Sequence, residues 1–172
     1  MQMKFARRAV FGLALAAVLS AAPAFAEDIK VGSKAPDFTL KGTDGQSYQL
    51  SQVIKANKIT VVNFWATWCA PCIVELPEFA KKYDTFKKNG ATILAVNSAE
   101  KEPVVVDFAN RAKFPFPVLV DATGVTKRAY SVSALPLTLI VDRNGIVRDR
   151  IGAESTPEKL IAKMQAAAKK AS

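Results

Sequence analysis

Two cysteines, Cys69 and Cys72, are the only thiol residues of the 172-residue chain, and they stand two residues apart in "FWATWCAPCIVELPEF" (64–79). The chain has no histidine. Three chemistries fit such a pair. A purely structural disulfide would close so small a loop that it removes little entropy from the unfolded chain. Zinc and copper sites generally take three or four Cys or His ligands, which this sequence does not supply. A peroxidase nucleophile would want a threonine further back than Thr67 stands from Cys69. The remaining reading is thiol–disulfide exchange. A C-x-x-C that follows a buried strand and opens a helix has a physical reason to be redox-active. The unpaired N–H groups and partial positive charge of a helix N-terminus favour a thiolate over a thiol. Cys69 is then placed at the helix mouth, its sulfur toward solvent, as the attacking nucleophile. Cys72, almost one turn further on, is the resolving thiol. No cofactor is required.

The elements that must position this pair can be read outward from it. "KITVVNFWA" (58–66) is a continuous, β-branched apolar run of the kind buried in a central strand. A helix is expected over about 70–88, ended by Asn89-Gly90, with its lysines toward the C-terminus as the macrodipole prefers. Upstream, "APDFTL" and "SYQL" flank a turn at Asp44-Gly45 and predict a hairpin. Downstream, "ATILAVN" is a buried strand. Val104, Val105, Phe108 and Ala112 recur at helical spacing. "FPFPVLVD" ends in a strand and "TGVTKRAY" gives a short helix. "LTLIVD" and "GIVRDRIG" form a hairpin around "DRNG". A terminal helix starts near Pro157, capped by Ser155 or Thr156, with Leu160, Ile161 and Met164 on one face. Alternating elements closed by a hairpin predict an α/β sandwich with a mixed sheet.

The N-terminus bears on compartment. "MQMKFARR" is short and basic, a 14-residue apolar run follows, and Ala24 and Ala26 give an A-x-A pattern. This predicts a secretory signal peptide over 1–26. The run is short for a bilayer span, which needs about 20 residues. The remaining 27–172 is the length of a single domain. The expected location is the periplasm, soluble after cleavage, where disulfides persist. The net charge of +9 is spread over lysine-rich helix ends rather than gathered in one block. It reads as solvated surface, and no nucleic-acid recognition motif accompanies it.

"FWATWCAPC" resembles the thioredoxin active-site stretch. Together with "VGSKAPDFTL", "WCAPCIVELP", "FPFPVLVD" and "ALPLTLIVDRNGIV" it is similar to the TlpA/ResA-like branch of exported thiol–disulfide oxidoreductases. The resemblance implies a thioredoxin fold with an N-terminal β-hairpin extension and a central insertion at about 98–120. It implies that Pro136 is a cis-proline facing the disulfide, which would expose the Leu135 backbone to an extended substrate chain. An ordinary strand-entry proline is the competing reading. Trp68 and Pro71 are expected on the same docking surface, and Trp65 and Trp68 are expected to pack around the site. Glu75 matches the acidic residue three positions after the second cysteine. A partly buried carboxylate there has a raised pKa and suits the proton of Cys72, whereas an exposed helix acid would not. Asn63 stands where thioredoxin carries a buried aspartate and cannot itself do acid–base work. Pro77 is expected to kink the helix.

Ala70 and Pro71 offer the sulfur no side-chain donor or charge, which favours a reductant over an oxidant in a fold whose potentials run from about −270 to about −120 mV. The resemblance implies as partners exported proteins with oxidised cysteines, such as apocytochrome c or copper-site proteins, and a membrane electron donor of the DsbD/CcdA kind. An oxidase or isomerase, and a metal-delivery module without enzymatic activity, are the alternatives.

Overall fold

The computed structural model describes residues 29–153 and 156–170. The expected signal peptide over 1–26 lies outside them, as does Ser155. Among the described residues the strands form one mixed sheet, in the order β2 (Ser47–Gln49), β1 (Thr39–Gly42), β5 (Val118–Asp121), β4 (Ala91–Ser98), β3 (Ile59–Trp65), β6 (Leu137–Asp142), β7 (Val147–Ile151).

The centre of that sheet is β3 (Ile59–Trp65), buried at every position. Its neighbours are β4 (Ala91–Ser98), parallel, and β6 (Leu137–Asp142), antiparallel. Both faces of β3 are covered, which is why it reads as a continuous apolar run rather than an alternating one. Ile59, Val61 and Trp65 point to one face. There they join Leu76 and Phe79 of α2 (Ala70–Lys81), Phe86 of α3 (Tyr83–Lys88), Val105 of α4 (Glu102–Ala112), and Leu160 and Met164 of α6 (Pro157–Lys170). Val62 and Phe64 point to the other face. There they meet Leu50 and Ile54 of α1 (Leu50–Ala56) and Tyr130, which follows α5 (Val125–Ala129). The hairpin of β1 (Thr39–Gly42) and β2 (Ser47–Gln49) joins the sheet through β5 (Val118–Asp121), with Lys41 opposite Val120. The stretch expected as an insertion therefore supplies α4 and much of β5, and β5 is the strand that links the hairpin to the core. β7 (Val147–Ile151) closes the far edge against β6. Its turn contains Gly145 at φ 75°, a left-handed conformation that favours glycine.

Three local expectations differ from what is observed. The second strand of the first hairpin stops at Gln49, and α1 follows at once. Leu50 and Ile54 are one turn apart and both buried, so burial decides the conformation over strand propensity. The helix expected over 70–88 is two helices meeting at Lys82, whose N–H turns back to the Phe79 carbonyl at 3.2 Å. Phe79, Tyr83 and Phe86 nonetheless stay on one buried line. Pro77 sits inside α2 and removes one N–H from its ladder without ending it. On α4, Val104 and Ala112 are exposed, and the buried stripe runs through Val105 and Ala109. Thr156 caps α6, accepting the Lys159 N–H at 3.3 Å.

Candidate active site

β3 ends at Trp65 and α2 begins at Ala70, so the connecting residues lie at the carboxyl end of the central parallel strands, where open α/β sheets place their sites. Cys69 is the N-cap of α2, in extended conformation, and its sulfur accepts the Cys72 N–H at 3.4 Å. Pro71 occupies the first turn, where a missing N–H costs nothing. Cys69 and Cys72 are joined by a disulfide, with Cα atoms 5.3 Å apart. The pair is more enclosed than the sequence suggests. Cys69 is 5% exposed and Cys72 1%, because both belong to the cluster that contains Trp65, Ala66 and Leu76. What access remains lies on Cys69.

The loop ahead of Cys69 is tethered from another strand. Glu100 follows β4, and its carboxylate accepts the Thr67 N–H and the Asn97 Nδ2 donor, each at 2.7 Å. It also accepts the Thr67 hydroxyl. The last bend before the helix is closed by the Cys69 N–H on the Ala66 carbonyl, at 3.1 Å. Of the two tryptophans, Trp65 is fully buried and packs against Phe108 at 5.2 Å between ring centroids. Trp68, expected to pack around the site, is 68% exposed. Ile73 and Val74 of α2 are exposed as well.

Glu75 is 7% exposed, so it is not a solvated acid of the helix start. Its Oε1 accepts Asn63 Nδ2 at 3.1 Å and the Thr138 hydroxyl at 3.2 Å. Asn63 Nδ2 also donates to Thr138 Oγ1 at 2.9 Å. Burial pushes the Glu75 carboxyl up to about 7, against the opposing pull of the hydrogen bonds from Thr138 and Asn63. A carboxyl in that range can take or release a proton at neutral pH. Helical spacing puts Glu75 one turn beyond Cys72 on the same face of α2. Thr138 comes from β6, directly opposite Asn63 in the β3–β6 register. Two residues before it, the Leu135–Pro136 peptide is cis. Phe64 pairs with Leu137, so Pro136 stands one step further along, level with Trp65 and the start of the cysteine loop. Pro136 is buried, while Leu135 is half-buried and packs against both core clusters.

The structure brings both cysteines, Glu75 and the Pro136 corner, all expected at the site from the sequence, to one end of the central strands. Sequence reasoning passed over Thr138 and Glu100, and it treated Asn63 only as a lost acid. A polar residue inside "ITVVNFW", on the same strand face as Trp65, was the available signal for a buried partner. Nothing local marks Glu100, whose contact with Thr67 spans 33 residues.

The AhpC/TSA family model matches residues 31–150. The thiol–disulfide oxidoreductase ResA of Geobacillus kaustophilus is 39% identical over 132 residues, 77% of this chain and 75% of that protein. ResA of Bacillus subtilis is 40% identical over 121 residues, 70% and 66% of the two chains. A crystal structure from Chlorobium tepidum, assigned as the thiol:disulfide interchange protein DsbE, superimposes with a TM-score of 0.73 at 31% identity. It covers 82% of this chain and 99% of its own.

Proposed function

The chain belongs to the AhpC/TSA family, and within it to the ResA-like thiol–disulfide oxidoreductases, and we propose that it is an exported reductant of protein disulfides. The observation that carries this reading is the placement of three groups along α2: Cys69 at the N-cap, Cys72 one turn in, and, one turn beyond, the buried Glu75 carboxyl that burial pushes up to about 7.

In the reduced protein the Cys69 thiolate attacks one sulfur of a substrate disulfide. The substrate S–S bond breaks, a Cys69–substrate disulfide forms, and the released substrate thiolate takes a proton from solvent. Cys72 then gives its proton to the Glu75 carboxylate, and the resulting thiolate attacks the Cys69 sulfur. The mixed disulfide breaks and the second substrate sulfur leaves as a thiolate. Two electrons have passed from protein to substrate, and the protein ends as the Cys69–Cys72 disulfide seen here. Trp68, Pro71 and the cis Leu135–Pro136 corner form the surface that receives the substrate chain. The half-buried Leu135 offers its backbone for strand addition.

The direction rests on Ala70 and Pro71, which place no charge or side-chain donor against the Cys69 sulfur. The compartment rests on the N-terminal 26 residues, read as a signal peptide, and export makes the periplasm the site of action. No helix among the described residues is long and apolar enough to cross a membrane. The substrates are exported proteins with oxidised cysteines, with apocytochrome c haem-attachment motifs and copper-site cysteines as the candidates. A membrane donor of the DsbD/CcdA kind returns two electrons and two protons. The test is capture in the periplasm with Cys72→Ala, which stops the reaction at the mixed disulfide. Exported cysteine proteins bound through Cys69, together with a potential near the reducing end of the fold's range, are the expected result. A potential near −120 mV, the value of a strong oxidant, would reverse the assigned direction.

A further inference from the structure

Glu75 is held by only one of its two oxygens. Oε1 accepts from both Asn63 and Thr138, whereas Oε2, equally buried, has no hydrogen-bond partner among the described residues. The two donors are linked. One hydrogen of Asn63 Nδ2 goes to Glu75 and the other to Thr138 Oγ1, at 3.1 and 2.9 Å. With a lone pair occupied by Asn63, the Thr138 hydroxyl turns its own hydrogen to Glu75 Oε1. This ordering leaves Oε2 as the atom that carries the proton.

We propose that Asn63 and Thr138 are positioning residues for the resolving step. They fix the Glu75 carboxyl in one orientation and keep it able to ionise at the pH where Cys72 must be deprotonated. The proposal rests on the reading of Glu75 as the acceptor of the Cys72 proton. Two opposed effects act on this carboxyl. Burial favours the neutral acid, and donors aimed at Oε1 favour the carboxylate. Among the described residues no charge offsets either one. β3 faces Glu75 with Asn63 and β6 with Thr138, both uncharged. The only charged residue of these two strands, Asp142, lies at the far end opposite Ile59 and pairs with Arg148 at 2.6 Å. On α2 itself Cys72 lies one turn before Glu75 and Glu78 one turn after it, and Glu78 is half-exposed and paired with Lys81 at 2.6 Å. Removing a donor therefore leaves burial less opposed and moves the ionisation of Glu75 toward higher pH. Asn63 thus acts not as an acid but on one. Thr138 ties the same carboxyl to the strand that begins at the cis-proline corner.

The test uses the mature protein with 13C-labelled glutamate, titrated by NMR, beside single-turnover resolution of a Cys69 mixed disulfide across pH 5 to 10. Thr138→Val keeps the branched shape and deletes the hydroxyl. It should move the Glu75 midpoint and the rate profile together, by about one unit upward, the size of one hydrogen bond to a charged group. Thr138→Ser should restore both. Asn63→Leu, read in the same way, covers the case in which the valine variant fails to fold. If the variants keep the parent's midpoint while Glu75→Gln removes the pH dependence, the positioning role is wrong and the role of Glu75 stands. If Glu75→Gln itself keeps the parent's profile, the acceptor reading falls and this proposal falls with it.

Discussion

α2 presents two unlike surfaces on one short stretch of chain. The inner surface carries Cys72, Glu75, Leu76 and Phe79, all buried. The outer one carries Ile73 and Val74, with Trp68 just ahead of the helix, all exposed. About 100° of rotation per residue separates them. The inner side is dry enough to bring a carboxyl to about 7. The outer side keeps apolar groups in water at the site entrance, an arrangement that suits contact with another chain. The contrast assigns proton chemistry to the inner side and recognition to the outer side. Changes on one side should leave the other side's readout alone.

The largest expected effect tests the inner side. Glu75→Gln should slow resolution of the mixed disulfide by about 10²–10⁴-fold where that step limits, the usual weight of general acid–base catalysis. Attack at Cys69 should remain as fast as in the parent. Stopped-flow measurement of both half-reactions separates the two. Next comes a pair of aliphatic residues, two positions apart on α2, that face opposite surfaces. Leu76→Ala removes a fully buried side chain and should cost about 2–5 kcal/mol. Val74→Ala, 70% exposed, should stay within about 0.5 kcal/mol. Urea denaturation of both variants gives the comparison, and equal losses would erase the distinction between the surfaces.

The buried carboxyl also predicts a dependence of stability on pH. Glu75 has a folded-state pKa of about 7 against an ordinary 4.5, so folding favours its neutral form. Below about 4.5 both states are protonated and no penalty applies. As the pH rises toward and past 7 the unfolded chain ionises first, and the parent loses on the order of 3 kcal/mol. Glu75→Gln should therefore match the parent at pH 4 and exceed it in stability at pH 8. A gap of constant size across that range would contradict the assignment. The smallest effect belongs to the outer surface. Trp68→Ala should raise KM for a protein disulfide by about tenfold, as loss of one aromatic anchor does. Stability and the rate with a small disulfide should not change.

The parts legible in the sequence are those with a local signature. The apolar run of β3, the C-x-x-C at a helix start and the turn glycines each carry their reason within a few residues. The order of the strands in the sheet, and the use of β5 to bind the first hairpin, depend on distant pairings that no window contains. The same distinction holds at the site. Glu75 can be placed by its step from Cys72, but its burial comes from the sheet beneath it. Asn63 and Thr138 are 75 residues apart and meet only through the β3–β6 register. α1 was readable after the fact, from Leu50 and Ile54, yet a three-residue strand runs into it without a break.

Alkylation of the reduced protein tests the central division of labour most directly. Iodoacetamide, applied at a series of pH values and read by mass spectrometry of the cysteine peptide, reports the thiolate at each position. Cys69, at the N-cap and with the greater access, should be modified much faster than Cys72 at neutral pH. Cys72 should resist until the protein unfolds. Equal rates at the two positions, or faster modification of Cys72, would contradict the assignment of nucleophile and resolving thiol.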